Sequence, residues 1–182
     1  MKRWSIAILV TCGLAQPVYA QKYKGDIGLT LQGGLGIAVG TFSHNYGLAP
    51  EFGMQADFAV KDGTSLGVRT GYRLFGVDEA SSLGDVKIAN FVAQGKQWFT
   101  PDSRTGLYAL AGWGVFWWKD ETLHDLSNAE WGGMAGLGLH YEASEKVSFV
   151  AESAYNGFFA SPSGIGYFSL NIGATINLRT AE

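Results

Sequence analysis

The chain has 182 residues and one cysteine, with 13 Lys and Arg against 16 Asp and Glu, a formal net charge of −3. This length suits a single domain, and the mild acidity argues against nucleic acid as a partner. Charged residues make up only 16% of the chain, whereas a soluble domain has about 25%, so the composition is unusual for a surface that faces water.

The N-terminal segment has the features of an export signal. A basic start precedes a short apolar run, which ends at Val18-Tyr19-Ala20. This arrangement predicts a secretory signal peptide over residues 1–20, with cleavage before Gln21. The apolar run is shorter than the about 20 residues that a membrane-spanning helix needs. Cleavage would remove Cys12, so the predicted mature domain, residues 21–182, would have no thiol for a disulfide or for catalysis.

The first segment of the mature chain alternates in polarity residue by residue. Apolar or glycine positions from Ile27 to Leu35 alternate with small or polar positions from Asp26 to Gly34. Successive side chains of a strand point to opposite sides. The pattern therefore predicts a strand over 26–37 with one wholly apolar face.

Similar segments recur to the end of the chain. Their other face holds mostly Gly, Ser, Thr, Asn and Gln, with few charges. In the fifth segment both faces are apolar, so its orientation stays undetermined. The eight predicted strands are 26–37, 49–60, 65–74, 86–99, 107–118, 130–142, 147–156 and 168–178.

The connections between the predicted strands alternate in length. An Asp62-Gly63 pair marks the first short one as a tight hairpin turn. Short turns at one rim and long loops at the other are typical of outer-membrane barrels, with the long loops outside the cell. The short connections are 61–64, 101–104 and 144–146, and the long ones are 38–48, 75–85, 119–129 and 157–166.

The polar face is too poor in charge to cover a soluble protein, but it suits a narrow interior. An eight-stranded barrel is only wide enough for side chains to fill it. The sequence therefore predicts an all-β fold, an eight-stranded antiparallel up-and-down transmembrane β-barrel with a side-chain-filled lumen. A soluble barrel that buries its apolar face is the alternative.

Charged residues on the polar face are predicted to form structural pairs inside the lumen, because buried charges persist only when they are paired. A hairpin loop over 62–64 would pair Val60 with Leu66 and would place Asp57 opposite Arg69. A lumen filled by salt bridges is the preferred interpretation, and an ion path is the alternative. The predicted cations are Arg69, Arg73 and Lys96, and the predicted anions are Asp57, Glu51, Glu142 and Glu152.

Four segments carry a family resemblance: Gly25-Asp26-Ile27-Gly28, Gly95-Lys96-Gln97-Trp98-Phe99, residues 107–114 and Leu170-Asn171-Ile172-Gly173-Ala174. With them the chain resembles the small outer-membrane β-barrel family of the OmpA and OmpX type. The resemblance implies that the protein is located in the cell outer membrane. It also implies a monomeric barrel surrounded by lipid and lipopolysaccharide.

The family that the chain resembles includes enzymes. His124-Asp125-Leu126-Ser127 in the third long connection is the nearest match to the loop His, Asp and Ser of palmitoyl-transferring barrels. Residues 154–158 lack the His and Ser that a likeness to lipid A deacylases requires. His44 and His140 are too different in placement for a shared metal ion. We therefore predict no catalytic, cofactor-binding or metal-binding residue.

The preferred functional hypothesis is a structural or adhesin-like surface role, with an extracellular or envelope protein partner bound through the loops. The alternatives are a lipid A-modifying acyl hydrolase or transferase and a narrow pore. Apolar loop residues could form a contact rim, since grouped exposed apolar side chains mark interaction surfaces. The candidates are Phe42, Tyr46, Phe75, Leu83, Leu123, Phe158 and Phe159.

Overall fold

The computed structural model describes residues 24–76, 84–101, 103–120, 127–159 and 164–178. Eight antiparallel strands follow one another around a closed barrel, and the last strand pairs with the first. The predicted eight-stranded up-and-down barrel is therefore confirmed. The strands are β1 (Ile27–Val39), β2 (Leu48–Lys61), β3 (Thr64–Phe75), β4 (Val86–Trp98), β5 (Thr105–Asp120), β6 (Ser127–Glu142), β7 (Val147–Phe158) and β8 (Ile165–Leu178).

The wall of the barrel is apolar outside and polar inside. Leu31, Phe52 and Ile172 are 69%, 69% and 73% exposed, whereas Arg69 and Arg73 are 1% and 0% exposed. This distribution reverses that of a soluble protein, in which charged side chains are almost never fully buried. It fits a wall surrounded by hydrocarbon, and it confirms the predicted facing of seven of the strands.

The structure determines the facing of β5, which the sequence left open. Trp113 and Trp117 point outward, and Tyr108 and Phe116 are fully buried in the lumen. Trp113 lies directly opposite the outward Ala93 of β4 in the antiparallel register. Since paired residues lie on the same side of a sheet, the neighbouring strand decides which apolar face of β5 meets lipid.

Most strands extend further toward the long-loop rim than predicted. β5 and β6 remain paired up to Lys119 and Ser127, so the predicted connection over 119–129 is too long. One 3₁₀ helix (Gly40–His44) lies between β1 and β2. The helical part of the described chain has neither the length nor the apolarity of a membrane-spanning helix.

The β2–β3 hairpin corrects one predicted contact. Its turn consists of Asp62 and Gly63 alone, and Gly63 has a positive φ of 74° that favours glycine. A register shift between Ala59 and Lys61 immediately precedes the turn. As a result Asp57 lies opposite Gly67, and Gln55 lies opposite Arg69. The predicted placement of Asp57 opposite Arg69 is wrong, because a three-residue loop and a regular ladder were assumed, whereas the two-residue turn and the register shift beside it each move the pairing by one residue.

Candidate functional site in the barrel lumen

An ionic layer fills the middle of the lumen. Arg69 Nη1 lies 2.7 Å from Glu152 Oε2, and Arg73 forms an ion pair with Glu51. Lys96 Nζ lies 2.8 Å from Asp57 Oδ2 and 3.4 Å from Glu152 Oε1. We define the ionic layer as Glu51, Asp57, Arg69, Arg73, Lys96 and Glu152.

All six members of the ionic layer are charged residues that the sequence analysis places inside the lumen. Each predicted cation lies beside a predicted anion, although Asp57 contacts Lys96 rather than Arg69. Glu142 is also buried, at the short-turn rim, where Arg104 Nε donates a hydrogen bond to its carbonyl oxygen at 3.1 Å. The alternating pattern was sufficient to find the members of the layer, but it did not determine the partners.

Three amide side chains and one phenol complete the layer, and the sequence reasoning did not select them. Gln94 Nε2 donates to Gln55 Oε1 at 2.8 Å, and Gln55 Nε2 donates to Glu152 at 3.3 Å. Asn171 Nδ2 donates to Glu51 at 3.1 Å. These amides occupy the inward positions of their strands, and the alternation of polar and apolar residues is the sequence signal that could have identified them. Tyr108, whose hydroxyl donates to Glu152 at 2.7 Å, was missed because the facing of β5 was undetermined.

An aromatic layer closes the lumen toward the long loops. The ring centroids of Phe42 and Phe75 lie 5.0 Å apart, and those of Phe75 and Tyr167 lie 5.8 Å apart. Phe116 stacks on Phe158 with a centroid distance of 5.1 Å. Such offset and edge-to-face contacts are the favoured geometries of aromatic pairs. The layer consists of Phe42, Tyr46, Phe75, Phe116, Phe158 and Tyr167.

The aromatic layer also corrects the predicted contact rim. Phe42, Tyr46, Phe75 and Phe158 are buried, because the 3₁₀ helix and the strand ends turn these rings into the barrel mouth. Phe159 alone of the described candidates is exposed, at 76%. Leu83 and Leu123 fall outside the described residues.

A small cavity of about 30 Å³ lies at the opposite, short-turn end of the lumen. Polar side chains such as Thr30, Thr175 and Asp57 line it, together with Lys96. Its volume is enough for about one or two water molecules. The ionic layer therefore separates a small polar cavity at one end from the aromatic layer at the other.

The described residues contain no group of three His, Cys, Asp or Glu that could hold a metal ion. His44 ends the 3₁₀ helix at the long-loop rim, and His140 lies in the lumen near the short turns. Of the catalytic candidate His124-Asp125-Leu126-Ser127, residues 124–126 lie outside the described part, and Ser127 begins β6. The predicted signal peptide also lies outside it.

An antiparallel eight-stranded barrel with an apolar wall and a packed polar lumen defines an integral outer-membrane β-barrel protein. The chain belongs to the family described as outer membrane protein beta-barrel domain, which matches residues 6–177. This places the protein in the cell outer membrane.

Solved structures with low sequence identity share the fold. Neisserial surface protein A has a TM-score of 0.65 and 16% identity, covering 84% of this chain and 99% of that chain. OprG from Pseudomonas aeruginosa has a TM-score of 0.60 and 10% identity, and the match covers 87% of this chain and 98% of that chain. The attachment invasion locus protein Ail of Yersinia pestis has a TM-score of 0.56 and 17% identity, and the match covers 85% of this chain and 99% of that chain. Comparison with the curated proteins finds no match.

Proposed function

We propose that this protein is a non-catalytic, non-conducting outer-membrane barrel that acts through its outer surface, either as a structural element or as an attachment protein. The carrying observation is the ion pair between Arg69 and Glu152, whose charged atoms lie 2.7 Å apart. Arg69 belongs to β3 and Glu152 to β7, which lie on opposite sides of an eight-stranded barrel. The pair therefore crosses the full width of the lumen.

The surrounding contacts support a permanently filled interior. Lys96 of β4 and Gln55 of β2 also contact Glu152, so the carboxylate joins side chains from several strands. Buried ion pairs hold their geometry when further hydrogen bonds satisfy the remaining polar atoms. With the lumen filled, the outer wall and the long-loop rim are the surfaces available for interaction.

A surface role is also consistent with two relatives of the same fold. Neisserial surface protein A is named as a surface protein, and a crystal structure of Ail contains the heparin analogue sucrose octasulfate. We propose lipid and lipopolysaccharide of the outer membrane as the partners of the wall. An extracellular or envelope protein is the proposed partner of the loops, and the barrel acts as a monomer without a cofactor.

Planar bilayer recordings of the refolded protein test the closed lumen. The expected result is no stepwise conductance from the wild-type protein, because the Arg69–Glu152 pair occupies the path. Regular conductance steps in the wild type would contradict the proposal and would favour a narrow pore.

Attachment of whole cells to host or matrix surfaces tests the surface role. Exchange of residues 159–164, which connect β7 to β8, is expected to reduce attachment. The same exchange over 143–146, in a short turn, is the matched control and should leave attachment unchanged. Equal effects of both exchanges would refute a role for the outer rim. A change in lipid A mass that depends on the protein would show instead that it is an enzyme.

A further inference from the structure

The outward face of the barrel wall carries very few charges. Among the outward positions of the described strands, the charged residues are Lys61, Lys87 and Lys119. Lys61 ends β2 at the short-turn rim, whereas Lys87 and Lys119 lie in β4 and β5 near the long-loop rim. A charge that faces hydrocarbon is costly, so these lysines lie at the two ends of the apolar wall rather than in its middle.

Lys87 and Lys119 lie side by side near the long-loop rim. They are directly opposite each other in the antiparallel register of β4 and β5, which brings the Cβ atoms of such a pair to about 5 Å. Lys119 is exposed, and Lys87 is half-buried and interacts with other residues of the chain. Like charges that are cross-strand neighbours repel each other. The two residues therefore form a local positive patch, which we call the lysine pair.

Neighbouring aromatic side chains locate the lysine pair just outside the hydrocarbon. Ala89 and Trp117 form the next outward row toward the middle of the wall, and Tyr72 of β3 lies opposite Ala89. Trp117 and Tyr72 are 43% and 47% exposed. Trp and Tyr rings favour the boundary between hydrocarbon and headgroups. Two residues of a strand span about 7 Å, so the lysine pair reaches the headgroup layer, where the lipid phosphates lie.

We propose that the lysine pair binds a phosphate group of lipopolysaccharide in the outer leaflet, and thereby holds one lipid molecule at a fixed place on the barrel. A phosphate group has the negative charge and the several acceptor oxygens that two ammonium groups can bind together. The long loops lie outside the cell, so the leaflet at this rim is the outer one. This inference rests on the proposed lipid contact of the wall, and it adds a specific site to that contact.

The position of the lysine pair favours a lipid over a soluble acidic partner. Both lysines are on the face of the wall that meets the bilayer, in the row next to Trp117. Asp85 precedes β4 on the loop side of Lys87, so the chain places a carboxylate nearer to the external solution than the pair. A lipid approaches within the plane of the membrane and can reach the ammonium groups without passing the loops.

Lipid binding by the refolded barrel in a neutral detergent tests the site. Native mass spectrometry counts the bound lipid molecules. The two probes are lipid A with its phosphates and lipid A from which the phosphates have been removed. The wild-type protein is expected to bind the phosphorylated lipid at least about tenfold more tightly, because cations close to an anionic headgroup add attraction. Equal affinity for the two lipids would overturn the proposal.

Substitutions of lysines at the two rims then locate the site. Lys87→Gln with Lys119→Gln should remove the preference for phosphorylated lipid A, whereas Lys87→Arg with Lys119→Arg should keep it. Lys61→Gln with Lys146→Gln is the matched control, since it removes the same charge from exposed positions at the short-turn rim. Heat-modifiable migration on gels verifies that each variant is folded. An equal loss in the control would contradict the proposal, since the lipid would then respond to the net charge of the barrel.

Two further probes separate the lipid from other anions. Neither inorganic phosphate nor a heparin fragment, each at the concentration of the lipid, should displace the bound lipid A. Displacement by either one would refute the assignment of the lysine pair to a lipid. Conductance and loop-dependent attachment do not involve the lysine pair, so a negative result here would leave the tests of the proposed function unaffected.

Discussion

Replacement of Glu152 by leucine removes the carboxylate that connects opposite sides of the lumen. Its Oε2 lies 2.7 Å from Arg69 Nη1, and its Oε1 lies 3.4 Å from Lys96 Nζ. Oε1 also accepts the hydroxyl hydrogen of Tyr108 at 2.7 Å. Leucine fills a similar volume but can accept none of these hydrogen bonds.

The expected loss in the free energy of unfolding is about 3–5 kcal/mol, the usual cost of removing one partner from a buried ion pair. Among the described residues, Arg69 would keep only the distant Glu51 as an ionic partner, at 3.8 Å, whereas Lys96 would keep Asp57 at 2.8 Å. The uncompensated guanidinium therefore accounts for the larger part of the loss. Glu152→Gln keeps an acceptor for Tyr108 and should cost less.

Two further variants separate the ion pair from general damage. The double replacement Arg69→Leu with Glu152→Leu should cost less than the sum of its single replacements, with a coupling of about 2–3 kcal/mol. Removal of both charges leaves no unpaired ion in the lumen, which explains the milder effect. Glu145→Gln, in the exposed turn after β6, should change stability by no more than about 0.5 kcal/mol.

Urea unfolding and refolding in lipid vesicles measures these differences. Tryptophan fluorescence follows the transition, and the migration of unheated samples on gels reports the folded fraction. A loss below about 1 kcal/mol for Glu152→Leu, or strictly additive single and double replacements, would refute the pairing across the lumen.

Two other substitutions test the lumen and the wall in the same assay. Gly138→Ala should cost about 1–3 kcal/mol, because the added Cβ would lie 2.2 Å from the Tyr108 ring. Gly33 faces outward, and a Cβ added there would have its nearest contact at 3.7 Å, so Gly33→Ala should be nearly neutral. Equal costs at both positions would show that the packing around Tyr108 is misjudged. Ile172→Lys should cost about 2–4 kcal/mol if the wall faces hydrocarbon, and Ile172→Ala is the size control. A tolerated lysine would contradict the lipid-facing assignment of the most exposed side of β8.

The predicted facing succeeded where the two sides of a strand differ in polarity. Leu31 and Arg69 could be assigned to opposite sides of the wall from their neighbours alone, and the structure confirms both. The same reasoning could not orient β5, where Trp113 and Phe116 are both aromatic although one faces lipid and the other the lumen. Polarity carries no information when both environments accept the same side chain.

The wrong contact between Asp57 and Arg69 has a different cause. It depended on the length of one turn and on the register shift between Ala59 and Lys61, which together move every further pairing along the hairpin by two residues while each side chain keeps its face. The buried rings of Phe42 and Tyr46 were missed for a related reason. Whether an apolar loop residue meets water or folds inward depends on the space at the barrel mouth. The pattern of neighbouring residues in the sequence does not predict that space.

By itself the sequence determined that this protein has eight strands, which side of most strands meets lipid, and which charges lie inside. It did so because a strand alternates its side chains with a period of two, and the two environments differ in polarity. Only the tertiary structure decided that Arg69 meets Glu152 across the lumen, that Lys96 meets Asp57, and that residues 40–47 cover the mouth. These contacts join strands far apart in the chain, and the closure and register of the whole barrel bring them together.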